Sequence, residues 1–363
     1  MKVALVYDRV NKWGGAERVL LSLHKLFPNA PLYTSVYNPH TAKWAKVFPK
    51  IHTSFLNRLP FAKTRHDLYA AFMPIAFESF NFSEYGLVIS VTSEAAKGII
   101  TKPGTTHICY CLTPTRYLWS GHNQYLGGVR KILSQPLVAY LKWWDKTAAQ
   151  RPDIIVSISQ TVAKRVEKYY GRKSPVIYPP VNTKIFTTPL RRSVVSKDEK
   201  PYLIVSRLVS YKKVDLVVKV FNRLKKPLIV VGTGSEEKKL RGMTRSNIIF
   251  TGFVEDDLLQ KYYVNARALI FPQEEDFGIV AVEAQAAGTP VIAYKKGGAM
   301  ETVTEKTGVF FDEQTADSLN EAIVKCEKKS FKEVDCKKNA EKFSEEKFQK
   351  NFATLVSAAL LKR

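Results

Sequence analysis

Phe271-Pro-Gln-Glu-Glu-Asp-Phe-Gly-Ile-Val-Ala-Val-Glu-Ala-Gln-Ala-Ala-Gly-Thr-Pro290 is the stretch that decides the fold. Ala268 to Phe271 is a short apolar run of the kind that forms a buried strand. An acidic loop follows, and the spacing from Phe277 or Gly278 onward predicts a helix. Gly288 supplies a C-cap and Pro290 a stop, after which Pro290 to Ala293 reads as another strand. Strand, loop, helix and returning strand form the repeating unit of a parallel α/β sheet.

The alternation recurs on both sides. Val3 to Tyr7, Leu87 to Val91, His107 to Cys111 and Ile154 to Ile158 are strand candidates before Tyr178-Pro-Pro-Val181. Tyr202 to Ser206, Leu228 to Val231 and Ile248 to Phe250 follow it. Two adjacent prolines stiffen an extended connector and exclude helix, so this is the hinge candidate. A polar segment, Thr187 to Lys200, comes next. The expectation is two Rossmann-like α/β domains, residues 1–181 and 182–343, facing each other across a cleft. The last helical segment, about Ser344 to Leu361, suits either domain, and residues 344–363 are expected to pack back on the first.

Hydrophobic residues make up 45% of the 363 and charged residues 25%, a globular balance that excludes wholesale disorder. Lys plus Arg is 56 against 33 Asp plus Glu, for a net charge of +23. Such a field favours an anionic partner: nucleic acid, an anionic membrane surface or a phosphorylated substrate. No nucleic-acid motif accompanies it, so nucleic acid is not the expected partner. Met1 to Val10 does not resemble a signal peptide, and no run of about 18 apolar residues is present, so any membrane contact is expected to be peripheral. Cys109, Cys111, Cys326 and Cys336 lack zinc spacing, and reduced, buried thiols in a cytoplasmic protein are expected.

Glu275 and Glu283 are separated by seven residues. With 33 acids in 363 residues, chance alone supplies about three such pairs, so position must carry the reading. Glu275 precedes a helix N-terminus, where a carboxylate can meet sugar hydroxyls. The first amides, around Phe277, Gly278 and Ile279, can take phosphate oxygens. Glu283 lies more than a turn on and can accept from ribose hydroxyls. Read without context, Glu275 is a dipole-favoured first-turn acid and Glu283 a solvated helix residue. Arg207 and Lys212 follow the strand ending near Ser206, and two cations there can clamp a diphosphate.

The stretch resembles the glutamate–seven–glutamate motif of the family 4 retaining glycosyltransferases, which have the GT-B fold. Phe277-Gly278, Glu283-Ala284 and Gly288-Thr-Pro-Val-Ile292 are typical of it, and Gly297-Gly298 and Glu301-Thr-Val303 continue the pattern. The resemblance implies that Arg207, Lys212 and Glu275 serve catalysis and that Glu283 binds donor. Gly232-Thr-Gly234 resembles a turn near the nucleotide, although a structural tight turn reads equally well. Phe250-Thr-Gly-Phe253 resembles the stretch beside the base, and Lys213 stands where a glycine is common.

In the first half, Gly14-Gly15-Ala-Glu17 resembles a loop of bacterial O-antigen-type mannosyltransferases, with Gly14 and Gly15 near the donor. His107-Ile-Cys-Tyr-Cys-Leu-Thr-Pro-Thr-Arg-Tyr-Leu-Trp119 matches the same branch, with Arg116 and Tyr117 as candidate substrate contacts. Relatives often carry a histidine before this Thr-Pro, and here the residue is Leu112. His107 reads as a core or edge histidine, and His122 is a weaker substitute.

The resemblance implies a hexosyltransferase without metal or cofactor, with residues 1–181 on the acceptor side and residues 182–343 binding the nucleotide sugar. It would move a sugar, mannose first, from a GDP- or UDP-sugar to a glycan or lipid-linked acceptor. Leu56 to Arg65 and Arg130 to Lys146 mix cations with apolar residues and suit an anionic membrane at the cytoplasmic face. Two other readings remain open: a GT-B-like nucleotide-sugar epimerase, and a non-catalytic polyanion-binding protein.

Overall fold

Short, largely apolar runs build the sheets. β4 (Leu87–Thr92) and β5 (Thr106–Cys111) are buried along their whole length, as strands covered on both faces must be. This computed structural model describes residues 1–120, 135–187 and 200–361. His122, part of the Arg130–Lys146 segment and most of the polar segment after the hinge lie outside the described residues. The chain divides into two units, Met1–Tyr178 with Phe348–Arg363, and Pro179–Lys347.

The first unit holds a six-stranded parallel sheet ordered β3-β2-β1-β4-β5-β6. Its remaining strands are β1 (Val3–Tyr7), β2 (Leu32–Thr34), β3 (Ile51–Thr53) and β6 (Ile154–Ser157). β2 and β3, three residues each, went unread in the sequence. The helix Glu345–Leu361 crosses the unit boundary, and from Phe348 onward it belongs to this first unit. Tyr110 explains the attachment: its ring meets Phe348 and Phe352 at 5.7 and 6.1 Å, and its hydroxyl donates to the Ile177 carbonyl at 2.8 Å.

The second unit repeats the plan: β7 (Tyr202–Val205), β8 (Leu228–Val231), β9 (Ile248–Gly252), β10 (Leu269–Phe271), β11 (Val291–Tyr294) and β12 (Gly308–Phe311), ordered β12-β11-β10-β7-β8-β9. In each sheet the chain starts in the middle, builds one half, then returns to build the other. The reversal falls between β1 and β4 in one sheet and between β7 and β10 in the other. Loops diverge at the carboxyl ends of such strand pairs and leave a crevice for ligands.

His107 is a core residue. It is wholly buried near the amino end of β5, bonded through Nε2 to Ser90 Oγ at 2.8 Å, with its backbone N–H donating to Asp153 at 2.7 Å. Burial pushes its pKa down from 6.5 to about 3. Between those values the unfolded chain binds a proton that the native chain refuses, so stability falls as pH falls. The loss at pH 5 is expected to be about 2 kcal/mol. Urea midpoints at neutral pH and at pH 5 check this, and His107→Gln should flatten the difference.

Candidate functional site

At the carboxyl edge of β7 the chain runs Ser206-Arg-Leu-Val-Ser-Tyr-Lys212, and at that of β10 it enters the acidic loop. These are the two strands flanking the reversal. Lys212 Nζ and Glu275 form an ion pair here, with side chains only 12% and 19% exposed. Lys212 also lies 5.3 Å from the Tyr211 ring centroid, and the Tyr211 hydroxyl accepts from Arg207 Nη2 at 2.5 Å. Arg207 is exposed. Arg207, Tyr211, Lys212 and Glu275 therefore form one linked cluster.

Backbone packing sets the cluster. Gly297 adopts φ +64° and bridges Glu275 in parallel; a Cβ there would fall 2.3 Å from the Glu275 carbonyl oxygen. The Gly298 amide donates to that same oxygen at 2.7 Å. Gly232 does the equivalent for the basic loop. At φ +129°, its Cβ would sit 1.9 Å from the Ser206 carbonyl oxygen, and Gly234 likewise packs on Leu208. The close approach these two glycines permit is thus to the Arg207 loop itself. Lys213 adopts φ +56°, a left-handed conformation that favours glycine.

The helix Ile279–Ala286 starts after Gly278, so its first amides sit at the end of the acidic loop beside Glu275. Phe277 contributes backbone only, since its ring is buried against Phe343 at 5.4 Å. Glu283 is not a solvated helix residue: it is 2% exposed and accepts from the Tyr263 hydroxyl at 2.9 Å. Tyr263 in turn packs edge-on against Phe186 at 5.5 Å. Phe253, just after β9, is 66% exposed.

The first unit has its own constellation at the β1/β4 reversal. Asp8, buried at the end of β1, accepts from Thr92 Oγ1 and from the amides of Ser93, Glu94, Ala95 and Ala96, at 2.7 to 3.1 Å. Burial, reinforced by Glu94, raises its pKa despite these donors. Arg9 pairs with Glu94. Lys97, 1% exposed, donates to the Glu94 carbonyl and pairs with buried Asp145 at 2.5 Å. Asp145 also accepts from Thr115 Oγ1, Trp119 Nε1 and the Tyr170 hydroxyl, each at 2.8 Å. Half-buried Arg116 lies on the loop that Thr115 and Trp119 tie down. Glu94 and Lys97 lie in Thr92-Ser-Glu-Ala-Ala-Lys97-Gly98, a stretch whose sequence fits the same branch, but neither they nor Asp8 and Asp145 were given a role from sequence, because each is a lone charge until folding gathers them.

Gly14 is extended, with φ 179°, and precedes the helix Gly15–Leu26. Glu17 on that helix is buried and accepts from the Tyr7 hydroxyl at 2.7 Å; burial raises its pKa. Leu112 is half-buried, and its amide donates to the Thr92 carbonyl at 2.8 Å.

Residues 187–343, nearly the whole second unit, match the family model of glycosyl transferases group 1. The second unit belongs to that family. An uncharacterized glycosyltransferase of Methanocaldococcus jannaschii is 32% identical over 188 residues, covering 46% of this chain and 48% of the relative. A GDP-mannose-dependent monoacylated alpha-(1-6)-phosphatidylinositol monomannoside mannosyltransferase of Corynebacterium glutamicum is 32% identical over 198 residues, covering 47% and 52%. The chain spans about half the length of the curated relatives it matches. Among solved structures, Anabaena HepE in complex with UDP superposes with a TM-score of 0.71 at 19% identity, over 99% of this chain and 100% of that one. Sucrose-phosphate synthase from Thermosynechococcus elongatus superposes with a TM-score of 0.76 at 16% identity, over 100% of both. The two six-stranded parallel sheets are those of the GT-B fold.

Proposed function

We propose that this chain is a retaining, metal-independent hexosyltransferase that takes its sugar from a nucleoside-diphosphate donor held by the second unit. The observation that carries the reading is the Lys212–Glu275 pair at the β7/β10 reversal, next to exposed Arg207. A cation pair and free helix amides suit a diphosphate, and a carboxylate beside them suits sugar hydroxyls. As the glycosidic bond to the donor breaks, charge grows on the departing phosphate, and Arg207, Lys212 and the amides at Gly278 and Ile279 stabilise it. The acceptor hydroxyl attacks from the same face and passes its proton to that phosphate oxygen. Glu275 orients the sugar, and Glu283, whose carboxylate also holds the buried Tyr263 hydroxyl, accepts from the ribose hydroxyls.

Mannose from GDP-mannose is the first donor to test, supported by the name of the Corynebacterium relative; the UDP complex of HepE makes UDP-sugars the second. GDP or UDP at about 100-fold over Kd should stabilise the protein by about 2.7 kcal/mol, read as a rise in Tm. If neither nucleotide moves Tm, the reading fails.

The acceptor is proposed to be a glycan or lipid-linked glycan at the cytoplasmic face of an anionic membrane. Among the described residues no helix is long and apolar enough to cross a membrane. The first unit instead exposes Phe61, Leu68, Phe72 and Ile75, alongside exposed Arg58, Lys63 and Arg65. Phe61 is 73% exposed and adopts φ +57°, a strained placement with no packing return. The helix Gln135–Ala148 adds exposed Tyr140 and Trp143, and its Trp144 bonds Glu78 at 2.7 Å, which puts it on the flank of the helix Met73–Glu78. Co-sedimentation with phosphatidylglycerol-rich vesicles, but not with phosphatidylcholine vesicles, is expected. Phe61→Ser with Trp143→Ser should weaken it, and so should salt.

A further inference from the structure

We propose that Lys213 is a further donor-binding residue, whose ammonium supplies the positive charge that the cluster of Arg207, Tyr211, Lys212 and Glu275 lacks for a diphosphate. The inference rests on the donor site proposed above and adds a residue to it.

The charges on the loops after β7 and β10 lead to it. Arg207 and Lys212 meet Glu274, Glu275 and Asp276 there, so the acids outnumber the cations. Lys212 is already committed to Glu275. On the loop after β11, which Gly297 joins to Glu275, Lys295 pairs with Asp312 at 3.0 Å. Lys296 beside it feels Glu274 and brings the sum only to zero. A diphosphate is a polyanion, and a sheet edge without net positive charge attracts it weakly. Lys213, next in the chain to Lys212 and exposed, makes the sum positive. The charges on either side of it are paired, Lys212 with Glu275 and Asp215 with Lys219 at 3.5 Å. Among the described residues Lys213 itself joins no ion pair. Consecutive Cα atoms lie only about 3.8 Å apart, so its flexible stem reaches a ligand held at Lys212.

Lysine is otherwise a poor choice at this position. Its φ of +56° falls in the left-handed region, which a side chain disfavours and glycine does not. It precedes the helix Val214–Leu224, whose positive N-terminal end repels a cation. Its side chain makes no cap bond to that helix, as serine, asparagine or aspartate would. Three local preferences are thus broken by one residue at the rim of a binding cluster. The charge it offers a ligand accounts for all three.

Calorimetric titration of the full chain with inorganic pyrophosphate, GDP and UDP tests the assignment. Lys213→Gly relieves the strained backbone and should raise Tm by about 2 to 4 °C. The same variant should bind pyrophosphate, and whichever nucleotide the wild type takes, about fivefold or more weakly. GMP or UMP, with one phosphate fewer, should lose less. Lys213→Arg keeps the charge and should bind as the wild type does. Wild-type affinity in Lys213→Gly, or an equal loss in Lys213→Arg, would overturn the inference. Nucleotide binding that is indifferent to Lys213 rejects this residue and leaves the transferase reading standing. Pyrophosphate binding that depends on Lys213, with no binding of GDP or UDP, rejects the transferase reading and leaves the cation site standing. Failure of all three ligands to bind the wild type rejects both.

Discussion

Alanine at Glu275 is expected to abolish sugar transfer while leaving affinity for GDP or UDP intact or slightly raised. The carboxylate faces Lys212 and is a poor neighbour for a diphosphate, so its removal takes nothing from nucleotide binding. What goes is the acceptor of sugar hydroxyls and the geometry that presents the anomeric carbon. Lys212→Ala should behave in the opposite way. Losing a charge-assisted contact of about 1.5 to 3 kcal/mol lowers nucleotide affinity about 10- to 100-fold. Losing stabilisation of the leaving group lowers turnover about 100- to 1,000-fold as well. Calorimetric titration with nucleotide, run beside a transfer assay, separates the two signatures. Wild-type turnover in Glu275→Ala would remove that residue from the site, and equal loss of nucleotide affinity in both variants would make the pair a structural brace.

Much of this second-unit cluster was legible because its residues lie next to regular elements. Arg207 and Glu275 each follow a strand whose apolar run is easily read, so their place at the sheet edge follows from the chain order of strand and loop. Lys213, noted as standing where a glycine is common, does occupy a left-handed position. Strands of three residues escaped, because Leu32-Tyr-Thr34 and Ile51-His-Thr53 are too short to show any period. β12 escaped as well: Gly308-Val-Phe-Phe311 offers only four residues. The polar hubs of the first unit were illegible for another reason. Asp8 and Ala96 are 88 residues apart, and nothing local in either distinguishes the carboxylate that will cap the other's loop. Glu283 shows the same limit, since its burial under Tyr263 depends on a partner 20 residues away.

Truncating Asp145 to alanine is expected to cost the first unit about 3 to 5 kcal/mol, enough to unfold a marginal domain. Asp145 and Lys97 are each 2% exposed in their side chains, and the carboxylate collects Lys97, Thr115, Trp119 and Tyr170 from three separate segments. Burial alone would push the Lys97 pKa down, but Asp145 outweighs it and the net shift is upward. In the native protein this pair therefore stabilises below pH 10.5, and its contribution is lost only as pH rises through the raised native pKa. Without Asp145 the sign reverses. Lys97 is then a buried cation with a lowered pKa, the unfolded chain binds the extra proton, and stability climbs as pH rises towards 10.5. Denaturation midpoints of Asp145→Ala at pH 7 and pH 9.5 should move up by this term, while those of the wild type should not. Lys97→Met combined with Asp145→Leu should regain most of the lost stability, because a buried pair replaced by apolar groups of similar size is often neutral. That double variant would still lack the anchor for Thr115 and Trp119, and so for the loop bearing Arg116. Recovered folding with unrecovered transfer would place Asp145 in control of that loop; recovery of both would leave the pair a packing device.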